Sequence, residues 1–398
     1  MKILYVSALS SEHLVSEIHL KTGTNPGFAV QKFSRLLAKG FIANGCDFQT
    51  LSVPPVSRAS DKRFFVKLDN ECENGVYYHY SPFINIPILR HFSLFLYVFF
   101  YVLLWGFKHK EKAVICDVLT ISACMGALLA SKINRIKTIG IVTDLYGFSQ
   151  QNSTSRGVQL FLEKVAITIN NLYVSSFTHY VLLTEAMNEV VNPKDKPHIV
   201  IEALCDNTIS DEAIATASKS VPKVVMYAGG LVERYGLKML VDSFIHLNRP
   251  DAKLVLYGSG SYVQELQKTV AEHPNVEYRG VAPNEVVVQA ELEATLLVNP
   301  RFTTEELTKF SFPSKNMEYM TTGTPLLTTK LPGMPEEYYP HVFLFEDESV
   351  EGFANAIDSA LNHTDFEMKR KGQRARDFVL LKKNNIRQTE RILSLINR

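Results

Sequence analysis

The sequence lacks any long run of charges of one sign. Its 42 lysine and arginine residues nearly balance its 41 aspartate and glutamate residues. Proteins that bind nucleic acid through their overall field carry a basic patch or stripe. We therefore expect no nucleic acid partner, and we expect any anionic ligand to be bound at a local site.

Cysteine is also scarce and follows no pattern. The five cysteines are odd in number, scattered along the chain and free of Cys-x-x-Cys spacing. This argues against a disulfide framework and against a zinc site, and it favours a reducing compartment. The first residues, MKILYVSAL, are not followed by a small-residue cleavage site, so they are predicted to form a strand rather than a signal peptide. We expect a cytoplasmic protein.

Apolar runs of strand length alternate with helical segments along the chain. The first half contains KILYVSAL, DFQTLSV, AVICDVL, TIGIVTDL, HYVLLT and HIVIEAL, and the second contains KVVMYAGG, KLVLYGSG, VEYRG, ATLLVNPR, PLLTT and VFLFED. This alternation predicts an α/β fold with doubly wound parallel sheets, and 398 residues are too many for one core. We predict one domain over residues 1–203, a linker over 204–221, a second domain over 222–378, and a helix over 379–398 that crosses back to the first domain.

Several glycines directly follow a predicted strand or open a helical segment. Gly27 opens a helical segment, Gly229 and Gly230 follow VVMYA, and Gly258 and Gly260 follow LVLY. A glycine turn before a helix lets backbone N–H groups and the helix dipole face an anion. Each glycine is therefore a candidate phosphate contact, and a tight turn with no ligand is the alternative at every position.

The second half resembles a known family in the order and spacing of its segments. YAGGLVERYGLKMLVDSF, LYGSGSYVQELQ, VEYRGVAP, LLVNPR and SFPSKNMEYMTTGTPLLTTKLPGMPEEYY resemble the nucleotide-sugar-binding domain of the family 4 glycosyltransferases, in particular the bacterial branch that builds capsular and exopolysaccharides. The resemblance implies the GT-B architecture, in which two Rossmann-like domains face each other across a cleft. It covers residues 222–345 well and the first half loosely.

The segment FPSKNMEYM carries the chemistry that a nucleotide-sugar needs. A diphosphate requires a cation and hydrogen-bond donors, and a ribose diol is well matched by a carboxylate. If a helix starts near Pro313, then Ser314 and Lys315 lie at its positive end and Glu318 shares their face. The resemblance implies that Glu318 holds the ribose and that the residues before it contact the diphosphate. A capped amphipathic helix with a solvated ion pair is the alternative.

Two positions depart from the common family pattern. Phe310 stands where many members have a sugar-contacting glutamate, and Gly230 and Tyr235 stand where an arginine and a lysine usually hold phosphate. We expect Arg301 and Lys315 to supply the missing positive charge, although Arg301 has the alternative role of bracing the end of its strand.

The turn after VEY is where the family receives the nucleotide base on main-chain groups. Here the turn comprises Arg279, Gly280 and Val281. Main-chain contacts discriminate poorly between bases, and uridine is favoured.

The resemblance also implies the reaction. Retaining enzymes of this kind have no evident protein nucleophile, and catalysis consists of positioning and charge stabilisation of the leaving group. Lys315, Arg301 and Asp144 are the candidate catalytic residues, with Asp144 orienting the acceptor hydroxyl or, alternatively, only capping a loop. No cofactor and no metal are expected, because the sequence has no Asp-x-Asp motif and FEDES is read as a solvated loop.

One segment is more apolar than a Rossmann-type helix requires. In HFSLFLYVFFYVLLWGFKHKEK, only Ser93 and Gly106 between Phe92 and Phe107 are not strongly apolar. The run spans roughly 25 Å as a helix, which is marginal for crossing a bilayer. It is predicted to rest on the inner face of the cell membrane, or else to be covered by another helix or a subunit. The residues predicted to contact the membrane are Phe99, Leu103, Trp105, Lys108 and Lys110.

Together these observations predict a retaining, metal-independent hexosyltransferase. It is expected to move a sugar from a nucleotide-sugar, preferably a UDP-sugar, to a lipid-linked glycan acceptor in bacterial surface polysaccharide synthesis. Two alternatives remain open: a nucleotide-sugar 2-epimerase of the same fold, and a non-catalytic sugar-nucleotide-binding subunit of a partner enzyme. The epimerase would act without an acceptor.

Overall fold

The computed structural model describes residues 1–23, 28–145, 167–206 and 208–397. The chain divides into two compact units. The N-terminal unit comprises Met1–Leu204 together with Asn385–Arg398, and the C-terminal unit comprises Cys205–Asn384. The chain therefore leaves the first unit and returns to it.

The N-terminal unit is built on a sheet in which the described residues form eight strands. These are β1 Lys2–Ser7, β2 Asp47–Ser52, β4 Glu71–Glu73, β5 Val76–Tyr80, β7 Lys112–Asp117, β8 Lys137–Val142, β9 His179–Leu182 and β10 His198–Val200. They lie in the order β10-β9-β8-β7-β1-β2-β5-β4, and all neighbours are parallel except β4 and β5. A separate antiparallel pair is formed by β3 Phe65–Val66 and β6 Phe83–Ile84. The six strands predicted from the apolar runs of the first half are all present.

The β4–β5 hairpin is a feature that the sequence prediction missed. Asn74 and Gly75 connect its two strands, and both have positive φ angles of 51° and 79°. Asn-Gly is the preferred pair for a tight turn of this kind, because both positions require left-handed backbone. The signal was present in ENGVYYHY, but the alternation of polar and apolar residues there is too short to stand out.

The helices of the N-terminal unit cover the sheet. They are α1 Glu12–Thr22, α2 Phe28–Ala43, α3 Pro87–Lys108, α4 Ile121–Ile133, α5 Ala186–Val191 and, after the C-terminal unit, α13 Asn385–Asn397; residues 167–174 are also helical. The core includes Tyr5, Phe41, Ile115 and Ile392, each at most 1% exposed. Ile392 belongs to the returning C-terminal segment, so this segment completes the core of the first unit.

The C-terminal unit has a fully parallel sheet. Its strands are β11 Lys223–Gly230, β12 Ala252–Ser259, β13 Val276–Tyr278, β14 Leu296–Asn299, β15 Leu326–Thr329 and β16 Phe343–Phe345, in the order β13-β12-β11-β14-β15-β16. The helices are α6 Asp211–Thr216, α7 Leu237–Leu247, α8 Val263–Glu272, α9 Asn284–Glu293, α10 Ser314–Thr322, α11 Val350–Leu361 and α12 Asp365–Lys382. Numbered within this unit, the strands run 3-2-1-4-5-6, which is the Rossmann order. The predicted α/β class with doubly wound parallel sheets is confirmed.

The segments near the unit boundaries contain more structure than a plain linker. The stretch 204–221 holds α6, and Asp211 at its start accepts a 2.9 Å hydrogen bond from the buried Arg376 of α12. The stretch 379–398 is divided between two helices, since α12 ends at Lys382 and α13 begins at Asn385. Asn385 donates to the carbonyl of Leu36 at 3.1 Å, which fixes the start of α13 on α2.

Helix α3 connects β6 to β7 and packs against α4. It is the one helix among the described residues that is long and apolar enough, by length and composition, to cross a membrane, and only 22% of its most apolar 18-residue window is buried. Its buried residues include Leu94, Val98, Val102 and Trp105. Its exposed apolar residues are Ile88, Leu89, Phe92, Phe100, Leu104 and Phe107.

The prediction that Trp105 contacts a membrane is wrong. Trp105 is 6% exposed, and its indole N–H donates to Gln49 of β2 at 3.1 Å, so the side chain is part of the packed interior. Phe99 and Leu103 are half-buried, whereas their neighbours Phe100 and Leu104 are exposed. The apolar surface is therefore centred one residue later in the helix than the sequence predicted, because a helix turns 100° per residue. Lys108 and Lys110 are exposed.

Candidate active site

The C-terminal ends of β11 and β14 form the switch point of the second sheet. In the order 3-2-1-4-5-6, the connections that follow these two adjacent strands run in opposite directions. A crevice forms between the connections, and ligands bind there in folds of this kind. Gly229 and Gly230 end β11, and Pro300 and Arg301 follow β14. Three of these four residues were predicted as site residues from the sequence.

The glycines at this edge are required by close backbone packing. Gly258 has a φ of 128°, and a Cβ there would lie 1.9 Å from the carbonyl oxygen of Gly229. A Cβ on Gly260 would lie 2.1 Å from the carbonyl oxygen of Leu231. Both are contacts that no side chain could tolerate. The structure therefore gives Gly258 and Gly260 a packing role whether or not they also face a ligand.

Gly27, the predicted glycine of the first domain, lies outside the described residues.

Helix α10 is fixed over the switch point by buried side chains. The Tyr319 hydroxyl donates to the carbonyl of Ala228 on β11 at 3.0 Å and accepts from the Ala228 N–H at 2.7 Å. Burial raises the pKa of Tyr319 well above its usual value, so the hydroxyl keeps its proton. Asn316 accepts from Asn299, the last residue of β14, at 2.5 Å. Helix α10 is thus tied to both strands that define the crevice.

Ser314, Lys315 and Glu318 lie on the first turns of α10. Ser314 is exposed, and it follows Pro313, which caps the helix. The Lys315 Nζ lies 2.7 Å from the Glu318 Oε2, and both side chains are about one-third exposed, at 33% and 31%. Cation and carboxylate are therefore together, as predicted from their spacing. A partly exposed pair of this kind adds little stability, so it can separate to meet a ligand at small cost.

Arg301 is held by an aromatic ring that the sequence prediction passed over. Its guanidinium carbon lies 4.5 Å from the centre of the Tyr235 ring, and that of Arg234 lies 5.4 Å from the same centre. Tyr235, where the resemblance leads one to expect lysine, thus supports the arginine that follows β14. No signal in the sequence could pair residues so far apart along the chain.

Tyr227 is a buried residue close to Arg301. It is 4% exposed, and its hydroxyl donates to the carbonyl of Gly230 at 3.1 Å. Burial raises the pKa of Tyr227 to about 12, and the charge of Arg301 acts in the opposite direction. The hydroxyl therefore stays neutral and fixes the end of β11.

The turn at Arg279, Gly280 and Val281 follows β13. The Arg279 guanidinium is paired with Glu277 at 2.8 Å and donates to Tyr257 at 3.1 Å. The Arg279 N–H donates to Leu256, and the Gly280 carbonyl accepts from Gly258. Val281 is 76% exposed. The side chain of Arg279 has a structural role, which leaves the main chain near Val281 as the candidate contact for a base.

Phe310 and the two glutamates before it lie in the segment that precedes α10. Phe310 is half-buried, and Glu305 and Glu306 are exposed.

The FEDES loop, expected to be only solvated, is in fact tied to this segment, because Glu348 accepts from the Thr303 N–H at 2.9 Å. This loop has a structural function.

Asp144 follows β8 in the N-terminal unit. Its side chain is exposed and accepts from the Leu145 N–H at 2.8 Å. Partial desolvation raises its pKa above the usual value.

A second aspartate at this edge of the first sheet was missed. Asp117 ends β7, which neighbours β1 at the switch point of that sheet. It is 3% exposed and accepts from the Leu119 N–H at 3.2 Å, and burial raises its pKa to about 6. The signal was the same as for Asp144: an aspartate directly after the apolar run AVIC.

Among the described residues, no group of three or more histidine, cysteine, aspartate and glutamate side chains could hold a metal ion. Metal independence of the reaction remains a prediction.

Comparison with known proteins agrees with this geometry. Residues 222–363 match the family model described as glycosyl transferases group 1. These residues, which include β11 to β16 and α10, are thus similar to a group 1 glycosyl transferase domain. The finer assignment to family 4 and to its capsular branch stays a prediction. Comparison with curated protein sequences finds no match.

Solved structures of similar fold cover the entire chain. HepE from Anabaena in complex with UDP superposes with a TM-score of 0.64 at 14% identity, covering 100% of both chains. Sucrose-phosphate synthase from Thermosynechococcus elongatus gives 0.62 at 15% identity, covering 100% of this chain and 98% of that one. The lipopolysaccharide outer core galactosyltransferase WaaB gives 0.60 at 14% identity, with 100% and 99% covered. At these identities the likeness shows the fold, which is the predicted GT-B class with two Rossmann-like units.

Proposed function

We propose that this chain is a retaining glycosyltransferase of the hexosyltransferase type. It transfers a sugar from a nucleotide-sugar, with UDP-sugars favoured, to a lipid-linked glycan acceptor in bacterial surface polysaccharide synthesis. The observation that carries the proposal is the placement of Ser314, Lys315 and Glu318. These residues lie on a helix that is hydrogen-bonded to both strands of a Rossmann switch point.

The donor is proposed to bind with its diphosphate at the start of α10. Backbone N–H groups of the first turn, the Ser314 hydroxyl and the Lys315 ammonium would meet the phosphate oxygens. The Glu318 carboxylate, now 2.7 Å from Lys315, would accept from the ribose hydroxyls. Structures of HepE contain UDP and, in another crystal, UDP-glucose, and this supports a uridine nucleotide here.

The proposed chemistry forms a bond between the acceptor oxygen and the anomeric carbon while the bond from that carbon to the diphosphate breaks. The acceptor proton passes to an oxygen of the departing diphosphate. Arg301, whose guanidinium is always charged and is positioned by Tyr235, stabilises the charge that develops on the leaving group together with Lys315. Asp144 of the N-terminal unit is assigned to orient the acceptor hydroxyl.

The lipid-linked acceptor and the location at the inner face of the cell membrane are proposed from helix α3. Phe100, Leu104 and Phe107 are 56%, 61% and 71% exposed and lie on one side of the helix, followed by the exposed Lys108 and Lys110. An apolar stripe with a basic end is suited to an anionic leaflet. The fold is shared with WaaB, a lipopolysaccharide outer core galactosyltransferase, and this supports a membrane acceptor.

The test is the release of nucleoside diphosphate from a panel of UDP- and GDP-sugars, with and without a lipid extract that contains glycan acceptors. We expect UDP release from one donor only when the extract is present, together with transfer of radiolabelled sugar to the lipid fraction. An epimerised sugar-nucleotide without acceptor would show the epimerase instead. UDP binding with no turnover under any condition would show a non-catalytic subunit.

A further inference from the structure

An open cavity of about 880 Å³ lies in the N-terminal unit, beside the amino ends of β8 and β9. Cationic side chains dominate its polar lining. They are Lys132, Arg135, Lys137, Lys194 and Lys196, and among the described lining residues there is no aspartate or glutamate. Five like charges around one cavity make a strongly positive potential, which favours an anionic occupant.

Two of the cations donate to backbone carbonyls, and the other three have no such partner among the residues that the structure describes. Lys137 Nζ donates to the carbonyl of Ile396 at 2.6 Å, and Lys196 Nζ donates to the carbonyls of Ser175 and Phe177 at 2.8 and 2.6 Å. Partial burial, together with the charge of Lys194, lowers the pKa of Lys196.

Lys132, Arg135 and Lys194 form no ion pair with any residue that the structure describes. Asp195 is next to Lys194 in sequence, but its carboxylate contacts Asn188 and His198. It does not line the cavity. The positive charge of these three side chains is thus left without a counter-charge from the described chain. It is the part of the lining that a ligand would neutralise.

The remaining walls of the cavity are apolar and partly exposed. Met125 and Leu129, one turn apart on α4, are 39% and 46% exposed, and Leu172 from the adjacent helical segment is 65% exposed. A small hydrophilic anion such as free phosphate gains nothing from these walls. An anion that carries a hydrocarbon chain would remove these walls from water, which is favourable for apolar surface.

The end of helix α3 lies beside the end of α4 that lines the cavity. The Asn134 amide at the end of α4 donates to the carbonyl of Leu103 at 2.9 Å, so the ends of α3 and α4 lie side by side. Phe107 and Lys108 of α3 are therefore at the same end of the unit as Lys132 and Arg135. The exposed stripe of α3 therefore ends near the cavity.

We propose that this cavity binds the phosphate headgroup of an anionic membrane phospholipid. Lys132, Arg135 and Lys194 neutralise the phosphate, and an acyl chain lies along Leu129 and Leu172. The proposal rests on the membrane contact in the proposed function and adds a specific lipid site to it, but it does not depend on sugar transfer.

The position of the cavity shows that the lipid is an anchor and not the reacting acceptor. Lys137 begins β8, and Asp144 follows its end. Six residues of strand span roughly 20 Å, at 3.3 Å per residue. The cavity is thus at the edge of the sheet opposite to the one where the carboxyl ends of the strands present candidate catalytic groups.

The experiment titrates the purified full-length protein with dihexanoyl phosphatidic acid below its critical micelle concentration, by calorimetry. The wild type is compared with the triple variant Lys132→Gln, Arg135→Gln, Lys194→Gln, and with the control pair Lys62→Gln, Lys67→Gln, which removes exposed charges elsewhere in the same unit. We expect the triple variant to bind at least about tenfold more weakly, since it lacks the three cations proposed to neutralise the phosphate. The control should bind as the wild type does.

Two further arms identify the source of the phosphate. Inorganic phosphate should bind much more weakly than the lipid, and Leu172→Gln, at an exposed position, should weaken the lipid and leave inorganic phosphate unchanged. The variant Phe100→Gln, Leu104→Gln should keep its affinity for the soluble lipid even where it loses flotation with vesicles, which separates this site from the α3 contact.

Three results would overturn the proposal. These are no binding of the lipid by the wild type, equal binding by the triple variant and the wild type, and inorganic phosphate binding as tightly as the lipid. Lipid binding by a protein that shows no sugar transfer would leave the lipid site standing and count only against the proposed reaction.

Discussion

Lys315 and Glu318 illustrate what can be predicted at the scale of single residues. Their spacing of three places them on one face of a helix, and in the structure their charged atoms are 2.7 Å apart. Arg301 shows the limit: its position at the end of a strand was predictable, but its support by Tyr235 was not. Contacts within one turn of a helix are set by local geometry, whereas contacts between distant segments require the assembled sheet.

Removal of the Lys315 charge should weaken the diphosphate contact specifically. We expect Lys315→Gln to lower the affinity for UDP by roughly tenfold to hundredfold, because a hydrogen bond to a charged group contributes about 1.5–3 kcal/mol. The affinity for uridine should stay the same, and isothermal titration with both ligands measures the difference. Lys268→Gln, on the exposed surface of α8, is the matched control. An equal loss for uridine and UDP would contradict the assignment.

Asp117 should make the stability of the N-terminal unit depend on pH. Burial raises its pKa from 3.8 to about 6 in the folded protein, so the unfolded chain loses this proton first as the pH rises. Below about pH 4, Asp117 therefore has no effect on the free energy of unfolding. It lowers that free energy progressively up to about pH 6, and above that it lowers it by about 3 kcal/mol.

The isosteric variant Asp117→Asn removes this titration and can still accept from the Leu119 N–H. We expect it to raise the thermal midpoint near pH 7 and to match the wild type near pH 4. Calorimetric scans across that range test the sign. A variant that is less stable than the wild type near neutral pH would show that the carboxylate is needed in its charged form.

Helix α3 shows what can be predicted at the scale of an element. The sequence indicated a helix with an apolar outer face, and the structure has an exposed row of large apolar side chains from Phe92 to Phe107. The orientation could not be derived, because a helix that is apolar all round has no polar side to mark the outside. Only packing on the sheet shows that Trp105 faces inward and Leu104 outward.

Two pairs of substitutions in α3 should separate membrane contact from folding. Phe100→Gln with Leu104→Gln changes exposed positions, so we expect normal thermal stability and loss of flotation with anionic vesicles. Val98→Ala with Val102→Ala changes positions that are 0% exposed, so we expect a loss on the order of 2 kcal/mol for each substitution. Flotation by the exposed pair equal to that of the wild type would favour a covering helix or subunit.

The whole molecule repeats one plan in two sheets. Alternating apolar runs and helical segments were enough to predict both, because a buried parallel strand is marked by its own residues. The path of the chain between the units was harder to place. It depends on where α12 ends and α13 begins, and only the two residues Lys383 and Asn384 separate these helices.

The returning helix α13 should stabilise the N-terminal unit although it follows the C-terminal unit in sequence. Ile392 and Ile396 are at most 3% exposed in the first core, and Asn385 is hydrogen-bonded to Leu36. We expect truncation after Asn384 to reduce hydrogen-exchange protection in β8, β9 and β10 and in α2, with β11 to β15 unchanged. Uniform loss of protection in both sheets would show instead that the two units unfold together.

The central claim is that Glu318 receives the ribose of a nucleotide-sugar, and one titration tests it most directly. The affinities of UDP and of dideoxyuridine diphosphate, which lacks both ribose hydroxyls, are measured for the wild type and for Glu318→Ala. In Glu318→Ala, Lys315 loses its ion-pair partner, which changes the affinity for both ligands alike. The ratio of the two affinities, compared between the two proteins, is free of this effect. We predict that the wild type prefers UDP by about tenfold or more and that the variant does not distinguish the two ligands. Equal discrimination by both proteins would contradict the account.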